Sequence, residues 1–150
     1  MLRALQDSAF SAWVLGADTI WSYPTVLTLH TVGLAILVGA ALIIDLRVLG
    51  LGSALAFAAV SRLYRFVWAG FLINAASGLV LFIVQAADRA GQPVFYVKLA
   101  FIVVGFTLAL ALRPYLRSEY GQPPRVRPMA AVSLVCWVAA IVTGRLMAYV

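Results

Sequence analysis

Apolar residues run along this chain in four long blocks, with charge concentrated in the gaps between them. The first block, 25–44, holds twenty residues and no charge. Blocks at 64–87, 95–113 and 129–149 follow. A hydrocarbon core about 30 Å thick takes about 20 apolar helical residues to cross. Inside it only helices and closed barrels satisfy their own backbone polar groups. The pattern predicts an all-α integral membrane protein, a four-transmembrane-helix antiparallel bundle forming one membrane domain over 1–150. The boundaries carry their own signals. Asp45 and Arg47, then Gly50 and Gly52, end the first span. Arg62 and Arg65 lead into the second, which leaves through Asp88, Arg89, Gly91 and Pro93. Arg113–Pro114 stops the third, and Gly121, Pro123, Pro124 and Pro128 keep the next connection from being helical throughout.

Residues 2–20 give a weaker signal. Leu2, Leu5, Phe10, Trp13, Val14 and Ala17 recur at helical spacing, while Arg3, Gln6, Asp7, Ser11 and Asp18 fall mainly elsewhere. This predicts an N-terminal amphipathic helix lying in the membrane interface. Trp13, Trp21 and Tyr23 suit an aromatic belt, as does Trp68 near the other face, and Pro24 fits the first turn of the next helix.

Composition sharpens the class. The chain is 65% hydrophobic and 11% charged, with a mean hydropathy of +1.04, against roughly 25% charged residues in an average soluble domain. A net charge of +6 in a soluble protein would suggest nucleic acid. Here no nucleic-acid partner is expected, because the basic residues are loop charges that set topology. Arg47, Arg62, Arg65, Arg113, Arg117, Arg125 and Arg127 lie on one side, and Arg3, Arg89, Lys98 and Arg145 on the other, seven against four. The richer side is expected to be cytoplasmic. Both termini then face the periplasm of a bacterial inner membrane. No cleavable signal is visible at the start of the chain. The single Cys136 excludes an intrachain disulfide.

That topology turns sequence into depth. His30 is the only histidine, about 8 Å inside the outer boundary at 1.5 Å per residue. Lys98 opens span three, and Arg145 and Met147 close span four, so these four groups share one level. Gln85 lies near it; Asn74 and Ser77 are nearer mid-membrane and read as interhelical glue. Gly70, Asn74 and Gly78, then Ala35 and Gly39, then Ala140, Gly144 and Ala148, are spaced by four and predict close helix contacts. Asp45 and Arg47, two apart, do not face each other. Asp45 is expected to pair with Arg62, Arg65 or Arg113, with a proton-uptake role as the alternative.

The stretch LHTVGLAILVGAALIIDLRVLGLG, Leu29 to Gly52, resembles a bacterial family of small four-span membrane proteins of unassigned function. The signature is Leu29, His30, Gly33, Leu34, Ala35, Gly39, Asp45, Leu46, Arg47, Leu49 and Gly50. Ser77-Gly78-Leu79, Phe95 and Lys98 extend the similarity to about residues 22–105. The chain is also loosely similar to the copper-resistance D and cytochrome b561-like membrane proteins, which place several histidines in four-helix bundles. With one histidine here, bis-histidine ligation within one chain is excluded.

Three functions follow as expectations. The first is haem b binding for electron transfer, with His30 as axial ligand. Met147 or the His30 of a second copy would be the other ligand, and Lys98 and Arg145 would pair with the propionates. A quinone or a periplasmic redox protein would be the partner. The second is a non-catalytic scaffold or accessory subunit that forms homo-oligomers or joins a membrane complex. The third is transport of copper, another cation or protons, with His30, Met147 and Cys136 as soft or borderline ligands. No nucleophile–base pair, phosphate loop or carboxylate pair is present, so a stand-alone enzyme is not expected.

Overall fold

The computed structural model describes residues 2–16, 21–51, 54–116 and 123–149. The helices are α1 (Leu2–Gln6), α2 (Ala9–Gly16), α3 (Tyr23–Leu49), α4 (Phe57–Ser61), α5 (Tyr64–Val84), α6 (Ala86–Ala90), α7 (Pro93–Leu112) and α8 (Val126–Leu146), with a 3₁₀ turn at Arg113–Leu116. No strand occurs among the described residues. Four segments are long and apolar enough to cross a membrane: Tyr23–Leu49, Phe57–Val84, Pro93–Leu116 and Val126–Leu146. The chain is an all-α, four-span membrane bundle, as its hydropathy predicts.

The ends of the spans shift by a few residues, each for a local reason. α3 runs five residues past Ile44 and stops at Gly50, whose φ of +101° is left-handed. There Gly50 N–H donates to Arg47 O at 3.2 Å and Leu51 N–H to Leu46 O at 2.9 Å, closing the helix end. The second span's helix ends at Val84, and α6 begins after a break at Gln85. α8 begins at Val126, so Pro128 belongs to its first turn rather than to the loop. A proline is tolerated there because first-turn N–H groups have no helical acceptor. Residues 117–122 lie outside the described residues, and with them Arg117 and Gly121.

α3 and α5 form one hairpin and α7 and α8 the other. Glycines set the closest approaches. A Cβ on Gly33 would lie 2.7 Å from Asn74 N, and one on Gly70 would lie 2.8 Å from Gly33 O. In the second hairpin a Cβ on Gly105 would lie 3.2 Å from the Trp137 ring. The hairpins join through α3 and α8, where Leu37, Ala41, Ile44, Ala130 and Trp137 share one core. Between α5 and α7 the gap is filled by rings: Phe71 stacks on Phe106 at 4.1 Å, and Phe82 on Phe95 at 5.3 Å. Leu72, Leu79, Val103 and Val135, each at least 60% exposed, belong to an apolar exterior suited to acyl chains.

The expected span-one seam is displaced. Ala35 and Gly39 point outward, and a Cβ on Gly39 would meet nothing within 4 Å. Gly33 takes their place, because the buried stripe of α3 runs through Gly33, Leu37, Ala41 and Ile44.

The expected helix over 2–20 is two helices. Ser8 breaks it: its Oγ accepts the Ser11 N–H at 3.2 Å and so caps α2. Residues 17–20, with Ala17 and Asp18, lie outside the described residues. Ser11 and Val14 turn into the protein, while Phe10, Trp13 and Leu15 turn out. Gln6 ties α1 to α6, accepting the Ala87 N–H at 2.9 Å and donating to Asp88 Oδ2 at 3.2 Å.

Candidate functional site

His30 stands on the face of α3 that meets α5. It and Asn74 bond reciprocally, each side chain to the other's backbone carbonyl. His30 Nδ1 lies 3.1 Å from Asn74 O, and Asn74 Nδ2 donates to His30 O at 2.9 Å. A carbonyl oxygen only accepts, so Nδ1 carries the proton. Ser77 Oγ, 3.2 Å from Nδ1, is a second acceptor, and its own proton goes to Ile73 O at 2.6 Å. Nε2 is therefore the ring nitrogen with the free lone pair, and no hydrogen bond reaches it among the described residues. Gly78 makes room for the ring, since a Cβ there would lie 3.0 Å from His30 Cε1. Asn74 and Ser77, both buried, are the interhelical glue their sequence positions suggested. They also orient the imidazole.

Lys98 enters from α7. Its stem crosses Gly144 of α8, with Cε 3.4 Å from where a Cβ would stand. Its ammonium lies within electrostatic reach of His30 and of Arg89. Arg145 turns away; it is exposed, with its guanidinium 5.8 Å from the centre of the Tyr149 ring. Met147 caps α8, and its carbonyl accepts from Arg89 Nη1 at 2.7 Å. Gln85 holds Arg89 from the other side, accepting its Nε–H at 2.8 Å, and donates to Tyr23 Oη at 3.3 Å. The end of the bundle that carries His30 thus also gathers Lys98, Arg89, Gln85, Arg145 and Met147. His30 and Lys98 act on each other, and Arg145 faces outward. Arg89 is the member that sequence reasoning left as a loop charge; its place one turn after Gln85 was the available signal.

The other end of α3 overturns an expectation. Asp45 is fully buried, and no salt bridge or hydrogen bond reaches its oxygens among the described residues. Arg113 lies over the Tyr64 ring, Arg65 over Phe66, and Arg47 donates to Leu55 O at 2.7 Å. Asp45 faces α8 instead, where Ser133 lies beside it. The reason is helical phase: Asp45 continues the stripe of Leu37, Ala41 and Ile44 into the core. Cys136, also buried, stands midway along α8, within electrostatic reach of Asp45.

The donor set at His30 fits an axial haem ligand in one tested respect: the Nδ1–H is held by a carbonyl and Nε2 is free, the arrangement found for metal-bound imidazoles. Among the described residues, no group of three or more His, Cys, Asp or Glu stands close enough to hold a bare metal ion. No family model, curated protein or solved structure matches this chain.

Proposed function

We propose that this protein is a haem b-binding electron carrier of the bacterial inner membrane, with His30 as an axial ligand and both termini in the periplasm. The observation that carries the reading is the contact of His30 Nδ1 with the Asn74 carbonyl. The Asn74 carbonyl accepts a hydrogen bond from Nδ1–H at 3.1 Å, which leaves the Nε2 lone pair for a haem iron. Haem b, when bound, supplies a one-electron couple. The chain's own residues do the rest. Asn74 and Ser77 fix the ring and raise its basicity. Lys98 supplies a cation for a propionate, with Arg145 as a second at the surface. Met147 or the His30 of a second copy would complete the hold on the group. An outward small face at Ala35 and Gly39, on the same helix as His30, supports approach of that copy.

The test is an optical spectrum of the detergent-purified protein, oxidised and then dithionite-reduced, after expression with ample haem. A Soret band that shifts on reduction, and that His30→Ala abolishes while the variant stays folded by circular dichroism, is the expected result. A featureless spectrum, or a full haem spectrum in His30→Ala, sinks the reading.

A further inference from the structure

Asp45 and Ser133 form a second polar site, separate from the His30 site and independent of the haem reading. Both Asp45 carboxylate oxygens, Ser133 Oγ and Trp137 Nε1 are buried without a hydrogen-bond partner among the described residues. All three residues are 0% exposed. Ser133 and Trp137 are four apart on α8 and share a face. Ser133 lies beside the carboxyl. An isolated buried charge is costly, and so is a buried hydrogen bond left unmade. A carboxyl group kept at such a place in a membrane helix is a functional candidate by default.

The chemistry around it narrows the occupant. Hard metal cations want six or more oxygen ligands. Here three side-chain oxygens are present, from Asp45 and Ser133. A proton needs no coordination shell. The titratable groups that act on Asp45 from packed elements are Tyr64 of α5 and Cys136 of α8. Tyr64 is already committed, donating to Ala109 O at 2.6 Å. Arg113 lies over the Tyr64 ring, 5.7 Å from its centre. No fixed cation is bonded to Asp45 among the described residues. Asp45 also stands four residues before the end of α3, about 6 Å from it along the axis. The end of the helix is thus about one turn away.

We propose that Asp45, beside Ser133, is a reversible proton-binding site inside the membrane. The proton comes from water at the adjacent face and forms an O–H bond on one carboxylate oxygen. It returns to water by the same route. In the neutral form the carboxyl donates to Ser133 Oγ, so the carboxyl and the hydroxyl partner each other.

The full chain, reconstituted in phosphatidylcholine vesicles, is measured by infrared difference spectroscopy between neutral and acid pH. The expected result is a protonated-carboxyl C=O band that grows as pH falls. Asp45→Asn removes it and Asp88→Asn leaves it. If Asp45→Asn fails to fold, Ser133→Ala keeps the carboxyl, and the band must then move in frequency. Three outcomes overturn the proposal: no titrating band that Asp45→Asn removes, a band that Ser133→Ala leaves in place, or a band that responds to sodium at fixed pH instead of to protons.

Discussion

One helix, α3, carries two polar side chains that the membrane should penalise, and it treats them in opposite ways. His30 and Asp45 are fifteen residues apart, about 22 Å along the axis. His30 faces α5 and is woven into a satisfied network, bonded to Asn74 and close to Ser77. Asp45 faces α8, where Ser133 beside it and Trp137 one turn further along that helix are as unpartnered as it is. The backbones explain part of the contrast. Gly33, Gly70 and Gly78 bring α3 and α5 so close that side chains reach the opposite main chain. Across α3 and α8 the contact is made by bulk, with Trp137, Leu37 and Ile44, and no main-chain carbonyl is offered to the orphaned indole. A polar group at the first interface holds the helices together. At the second it is available for chemistry.

The comparison can be broken most violently at the glycines. Gly70→Leu would drive a side chain into the α3 backbone, so destabilisation of about 3 kcal/mol or more is expected, together with loss of the His30–Asn74 bonds. Unfolding in mixed micelles measures it; a variant as stable as the parent would show that the close approach is not required. Next comes Asn74→Ala. It deletes the 2.9 Å bond to His30 O and should cost about 1–2 kcal/mol. If haem is bound, it should also weaken retention, because the imidazole loses a constraint.

At the other interface the sign should invert. Trp137→Phe removes an indole N–H that has no partner while keeping most of the ring. Stability equal to the parent, or higher by up to about 1 kcal/mol, is expected. A loss above about 2 kcal/mol would mean that the N–H is bonded in the membrane, and the contrast between the two ends would fall. The smallest effect belongs to Gly39→Leu. With nothing within 4 Å of its Cβ position, it should leave the stability of one chain within about 0.5 kcal/mol. Self-association, followed by energy transfer between labelled copies in vesicles, should fall if copies meet on that face.

Much of the architecture was legible beforehand. Span number, approximate ends and the shared level of His30, Lys98, Arg145 and Met147 depend on apolar run length and helical rise, which are local properties. Gly50 and Pro24 announce helix ends because their backbone preferences act without neighbours. Facing was not legible. Each span is apolar on nearly all sides, since lipid and protein core select the same side chains. The choice between Gly33 and Gly39 as the packing glycine therefore left no trace in the pattern. The same ambiguity misassigned Asp45: arginines stood nearby in sequence, while its helical phase pointed it into the core.

The sequence by itself determined that this protein crosses a membrane four times and that a single imidazole stands near one end. Those facts follow from hydrophobic length and composition, which no partner can alter. Only the tertiary structure decided that the imidazole is held by the Asn74 carbonyl and that Asp45 meets an equally unpartnered serine. Hydrogen bonds depend on distances of a few tenths of an ångström between helices, and those distances are set by packing rather than by any single helix.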